Sequence, residues 1–104
     1  MRVAILTFAG CPNGEPARAL VAEVARELGR EPAIEAVLVE DVETAERLRF
    51  LGSPTIRVDG RDVEPGADER ESFALSCRVY PSPDGTSGLP PRSWIRSALE
   101  RARG

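Results

Sequence analysis

Gly52-Ser53-Pro54-Thr55-Ile56-Arg57-Val58-Asp59-Gly60-Arg61-Asp62-Val63 is the stretch that decides the fold. Two short extended runs flank Asp59-Gly60, a dipeptide that tolerates the positive φ values of a type I′ turn, so the stretch predicts a β-hairpin. Gly52 stops a helix before it. Ser53-Pro54 opens the first strand, where a proline with no N–H to donate is allowed. Working outward, Val42 to Leu51 carries Ala45, Leu48 and Leu51 on one helical face, and Glu40-Asp41 suits its start because anions favour a helix N-terminus. Ile34 to Val39 reads as a strand centred on Val37, Leu38 and Val39. Before it, Ala17, Leu20, Val21, Val24 and Leu28 recur at helical spacing over residues 15–28, with Pro16 in the first turn and Gly29 at the stop. Val3 to Phe8 is a nearly continuous apolar run ending in Gly10-Cys11-Pro12-Asn13-Gly14, which predicts a central strand and a turn. On the other side, Trp94, Ile95, Ala98, Leu99 and Ala102 form a last helical stripe entered through Pro90-Pro91. The predicted order is β-α-β-α-β-β-α. It makes an α/β domain with a four-stranded mixed sheet, helices on both faces and an irregular insertion over residues 64–91, before the last helix.

The chain has 104 residues, 41% hydrophobic and 30% charged, which predicts one domain spanning 1–104 with its own core. Its 14 cations, all arginine, against 17 anions give a net charge of −3. That balance speaks against nucleic-acid binding and against an anionic membrane surface, since both want a basic face. No stretch reaches the roughly 18 apolar residues of a membrane span. Phe8-Ala9-Gly10-Cys11 echoes a lipoprotein cleavage site, but the apolar run before it is shorter than the roughly 7–15 residues of a signal segment. Histidine is absent, which removes Ser-His-Asp and Cys-His catalysis and His-ligated metals within one chain. Two cysteines are too few for a disulfide scaffold or a four-thiolate zinc site. A cytoplasmic protein with reduced thiols is expected. No glycine-rich loop has phosphate-cradling spacing, so no nucleotide cofactor is expected.

Cys11-Pro12 after the first strand and Ser53-Pro54-Thr55 before the third, in this element order, resemble the thioredoxin fold. The resemblance covers the chain outside residues 64–91. It implies that Cys11 is the nucleophilic cysteine and that Pro54 is a cis proline lying against it. It further implies that Ser53, Pro54 and Thr55 form the substrate-docking turn, with Pro12 a further substrate-binding residue beside Cys11. A cis turn would aim the Ser53 backbone toward Cys11, where an extended peptide could pair as an added strand. The chain departs from the family's Cys-x-x-Cys motif at Cys11-Pro12-Asn13-Gly14, because Gly14 replaces the second cysteine. The sequence is also similar to a small bacterial thioredoxin-like group often labelled alkylmercury lyase or uncharacterised. The pieces that carry this are Phe8 to Asn13, Phe50 to Gly60 and Ser76-Cys77-Arg78-Val79-Tyr80. True organomercurial lyases are longer, so the label is a hint of thiol chemistry only.

The residues themselves leave alternatives open. A helix start favours the thiolate of Cys11, yet free cysteines are also common as small buried hydrophobes. Cys77 would be the resolving thiol that does what Gly14 cannot, closing a long-range disulfide to Cys11. In that reading Arg78 lowers the pKa of either thiol. Equally, Cys77 is a packing residue among Leu75, Val79 and Tyr80. Asp68-Glu69-Arg70-Glu71 and the pair Glu40-Asp41 read as solvated surface, with capping of the second helix as the other reading of Glu40-Asp41. Trp94 and Tyr80 read as packing residues with their polar tips at the edge. Pro81 to Gly88 reads as a lid over Cys11 or a surface excursion. Three functions follow. One is a thiol-based redox protein acting on protein or small-molecule disulfides through Cys11. The second is a two-thiolate trap for mercury or copper, with soft sulfur ligands. The third is a redox-inert interaction domain.

Overall fold

The apolar run at the start of the chain becomes the strand β1 (Arg2–Thr7). The structure, a computed structural model, describes residues 1–102. After β1 come α1 (Gly14–Glu27), β2 (Ala33–Leu38), α2 (Val42–Arg47), β3 (Thr55–Val58) and β4 (Arg61–Asp62). A single 3-10 turn (Ala67–Glu69), β5 (Tyr80–Ser82), β6 (Gly85–Ser87) and α3 (Arg92–Arg101) complete the chain. Four strands form one mixed sheet in the order β2-β1-β3-β4. β1 pairs in parallel with β2, from Arg2 opposite Ala33 to Thr7 opposite Leu38. It pairs antiparallel with β3, from Val3 opposite Val58 to Leu6 opposite Thr55. The Asp59-Gly60 hairpin forms as expected, with φ +51° and +84° at its two turn residues, the signature of a type I′ turn.

Alternation along β1 sends side chains to two apolar clusters. Val3 and Ile5 join Ala17, Val21 and Val24 of α1 and Ile95 and Leu99 of α3 on one face. Leu6 joins Val39, Ala45 and Phe50 in the other cluster, with Leu75 packed against it. Each fully buried aliphatic side chain in these clusters is worth about 1.5–3 kcal/mol. The first cluster is the larger, and it fixes β1 and α1, the two elements that bracket Cys11.

The helix ends show one departure from the sequence reading. α1 stops at Gly29, where Arg30 N–H donates to Ala25 O at 2.9 Å and Gly29 N–H donates to Arg26 O at 3.0 Å. That is the double bond of a Schellman ending. α2 closes in the same way four residues before Leu51. Phe50 N–H donates to Ala45 O at 2.8 Å and Arg49 N–H to Glu46 O at 3.2 Å. The left-handed residue is Arg49, at φ +55°. A helix over residues 42–51 is therefore corrected to Val42–Arg47, because the chain turns at an arginine and not at Gly52. Asp41 caps α2 as its position suggested, accepting from Thr44 N–H at 2.7 Å.

The insertion is less irregular than expected. Residues 80–87 form the antiparallel pair β5–β6, with Tyr80 opposite Ser87. Pro81 and Pro83 mask that strand signal, since proline lowers any strand reading.

Candidate functional site

Three segments meet at one end of the sheet. Because Leu6 opposes Thr55, the loop leaving β1 and the turn entering β3 depart from the sheet side by side. The first carries Cys11 and Pro12, the second Ser53, Pro54 and Thr55. The third segment carries Cys77, which forms a parallel bridge with Ser53. Ser53 N–H donates to Ser76 O at 2.8 Å, and Arg78 N–H donates to Ser53 O at 2.9 Å. Cys11, Pro12, Ser53, Pro54, Thr55 and Cys77, the candidate site residues of the sequence, thus all lie on these three segments.

Cys11 is half-buried, a free thiol on a turn closed by its own N–H donating to Phe8 O at 3.2 Å. The N-terminus of α1 behind it has no side-chain cap, for Asn13 makes no capping hydrogen bond. Uncapped N–H groups and the dipole favour an anion there. Cys11 borders a cavity of about 300 Å³ between the first turns of α1 and the exposed strand β2. Phe8 and Leu38 supply apolar lining, and Glu15 and Arg18 supply charge of both signs. Residues 53–55 and 76–78 do not line it. Beyond Cys11, Gly88 of the insertion lies against the Asn13 carboxamide so closely that a Cβ there would collide with it.

The Ser53–Pro54 peptide is cis. Ser53, Pro54 and Thr55 are all buried, so the turn meets other groups mainly through the chain that covers it. Thr55 Oγ1 donates to Gly52 O at 2.6 Å and accepts from Arg78 Nη1 at 3.0 Å. The Ser53 Oγ is buried without a hydrogen-bond partner among the described residues.

Cys77 is an exposed free thiol, but its neighbour is not exposed at all. The Arg78 side chain, 1% accessible, bonds to both Asp62 oxygens at 2.8 and 3.0 Å and to Glu64 at 3.0 Å. Its guanidinium also stacks 4.7 Å above the centre of the Tyr80 ring. Burial opposes the Arg78 cation, but the Asp62 and Glu64 carboxylates outweigh it and hold its pKa above the ordinary value. Burial likewise works against the Glu64 carboxylate, and hydrogen bonds from Arg78 and Arg70 overcome it, so its pKa falls. The expectation that Arg78 tunes a thiol is corrected: its charge is spent on two carboxylates. Tyr80 is corrected too. It is fully buried, its phenol donates to Pro54 O at 2.5 Å, and its ring meets Trp94 edge-on at 6.2 Å. Burial pushes that phenol's pKa up. Val79 lies exposed, while Leu75 packs on the second cluster.

Asp62, Glu64 and Tyr80 were not singled out as site residues, nor were Glu15 and Arg18 at the cavity. Lone charges in a charged sequence carry no pairing signal, so only the three-dimensional register finds them. Among the described residues no three His, Cys, Asp or Glu side chains gather as a metal-holding group, and no helix is long and apolar enough to cross a membrane. Comparison with protein-family models, with curated proteins and with solved structures returned no match.

Proposed function

We propose that this chain is a thioredoxin-like, cytoplasmic thiol-disulfide exchange protein in which Cys11 is the nucleophile. The observation that carries the reading is the meeting of the β1–α1 loop, the cis Ser53–Pro54 turn and the Cys77 segment at one sheet end. Cys11 adds three features a nucleophile needs: partial exposure, a free sulfur and an uncapped helix start behind it. The Cys11 thiolate attacks a disulfide, one thiol leaves, and a mixed disulfide remains on Cys11. Cys77, exposed on the neighbouring segment, is the thiol that then attacks Cys11 and releases the second half of the substrate.

The test is site-resolved mass spectrometry after treatment with a small disulfide, with digestion in the absence of reductant. The expected result is a Cys11 adduct, lost in Cys11→Ser, and a Cys11–Cys77 linked peptide. In Cys77→Ser the adduct on Cys11 should accumulate. A Cys11 that reacts no faster than N-acetylcysteine overturns the reading.

A further inference from the structure

We infer that the Cys11 site acts on disulfides of low molecular mass, zwitterionic ones in particular, and does not dock extended peptide disulfides at the Ser53 turn. This rests on the proposed exchange reaction and names its substrate class.

An incoming extended peptide would add as a strand through the backbone N–H and C=O of the residue before the proline. Both groups of Ser53 are already used within the chain, by Ser76 O and by Arg78 N–H. The strand position is filled by residues 76–78. That segment is not loosely laid down. Arg78 holds it through Asp62, Glu64 and Thr55, and Tyr80 holds it through Pro54 O. Gly52 lets it come close: a Cβ there would stand 2.9 Å from the Arg78 Cβ, and φ at Gly52 is +122°. To admit a peptide, the chain would have to withdraw Arg78 and leave two carboxylates without their buried cation.

The cavity bordered by Cys11 remains open. At about 300 Å³ it lies at the small end of the range for small-molecule sites. Arg18 presents a cation to a substrate carboxylate, and Glu15 presents an anion to a substrate ammonium. An amino-acid disulfide carries both groups beside its sulfur. The Cys11 thiolate attacks one sulfur of RS–SR. The Cys11–SR bond forms, the RS–SR bond breaks, and RS⁻ leaves and takes a proton from water. Cys11 is oxidised to the mixed disulfide and half of the substrate is reduced to the thiol.

The experiment uses the full reduced chain and three probes: cystine, bis(2-hydroxyethyl) disulfide, and a linear peptide dimer joined through a central cysteine. Loss of the free Cys11 thiol is followed by mass spectrometry, and each rate is divided by that of N-acetylcysteine with the same probe. The peptide ratio should stay near one, because the Ser53 backbone groups whose two hydrogen bonds would raise it by about tenfold or more are already taken. The cystine ratio should exceed that of the hydroxyethyl compound by about two- to fivefold, the worth of exposed charge contacts. Replacing the two exposed residues together, Arg18→Ala with Glu15→Gln, should erase that difference. A peptide ratio of about tenfold or more overturns the exclusion of peptides. A cystine preference that survives the double substitution overturns the zwitterion assignment. If none of the three probes outpaces N-acetylcysteine, the exchange reaction itself fails and the inference falls with it.

Discussion

Cys11 and Cys77 reach the same end of the sheet on supports of opposite character. Cys11 hangs on a turn between β1 and α1, two elements held by an apolar cluster of valines, isoleucines and leucines. Cys77 sits on a segment held by an arginine, two carboxylates, a phenol and two backbone hydrogen bonds. The apolar support is non-directional and tolerant, because area removed from water sets its strength. The polar support is directional, and each member leaves a buried partner stranded if removed. Substitutions at the second support should therefore be severe one at a time and mild when partners are changed together.

The largest expected effect is at Arg78. Arg78→Ala leaves Asp62 without its buried cation and Glu64 with Arg70 alone, at a cost of about 3–5 kcal/mol, read as a lowered urea midpoint. Arg78→Met together with Asp62→Asn and Glu64→Gln should recover most of that loss, since a buried ion network often gives way to neutral groups with little penalty. If the triple variant is no better than Arg78→Ala, the segment is held by packing and the comparison with the Cys11 support breaks down. Next is Tyr80→Phe, which strands the Pro54 carbonyl in a dry site for about 1–3 kcal/mol. Its urea midpoint should fall while the Cys11 adduct rate with cystine holds, because Tyr80 does not line the Cys11 cavity.

Acid sharpens the same contrast with a smaller effect. Glu64 has a folded pKa below its free value of 4.5, so folding favours its ionised form. Its stabilisation is complete above that free value and drains away as the pH falls through the lowered folded value. Urea midpoints measured from neutral pH down to about pH 3 should therefore drop, and Glu64→Gln should flatten part of that slope. An unchanged slope in Glu64→Gln would assign the acid loss to other carboxylates, Asp41 at the α2 cap among them, whose pKa its hydrogen bonds with Thr44 also lower.

What the sequence made legible follows the same division. The Asp59-Gly60 hairpin, the periodic stripes of α1 and α3 and the junction bearing Cys11-Pro12 are local patterns, readable from neighbours along the chain. The hold on residues 76–78 is not local: Arg78 meets Asp62 and Glu64 across 16 and 14 positions, and none of these charges differs in the sequence from a solvated one. The β5–β6 pair was hidden by its prolines, and the cavity beside Cys11 by the wide separation of Arg18 and Leu38. The same limit explains α2, whose ending depends on what surrounds an arginine.

The ends of α1 and α2 give the finest version of this contrast, and the smallest expected effect. Gly29 reaches its left-handed conformation without hindrance, whereas Arg49 pays a steric penalty of roughly 1 kcal/mol at φ +55°. Arg49 gains something in return. Its guanidinium lies 4.9 Å from the centre of the Phe73 ring and donates to Asp68 O at 3.2 Å. A cation over an exposed ring is worth about 0.5–1 kcal/mol, nearly the size of the backbone penalty. Arg49→Gly should therefore change the urea midpoint by less than the uncertainty of a single-residue substitution, about 0.5 kcal/mol. Arg49→Ala keeps the penalty and loses both contacts, so it should be the less stable of the two. If glycine is clearly stabilising there, the Phe73 and Asp68 contacts contribute nothing, and the 3-10 turn over residues 67–69 is held to α2 by other means. If glycine is clearly destabilising, the arginine is the tie between α2 and the segment that leads to Cys77, and the polar support extends further along the chain than Arg78.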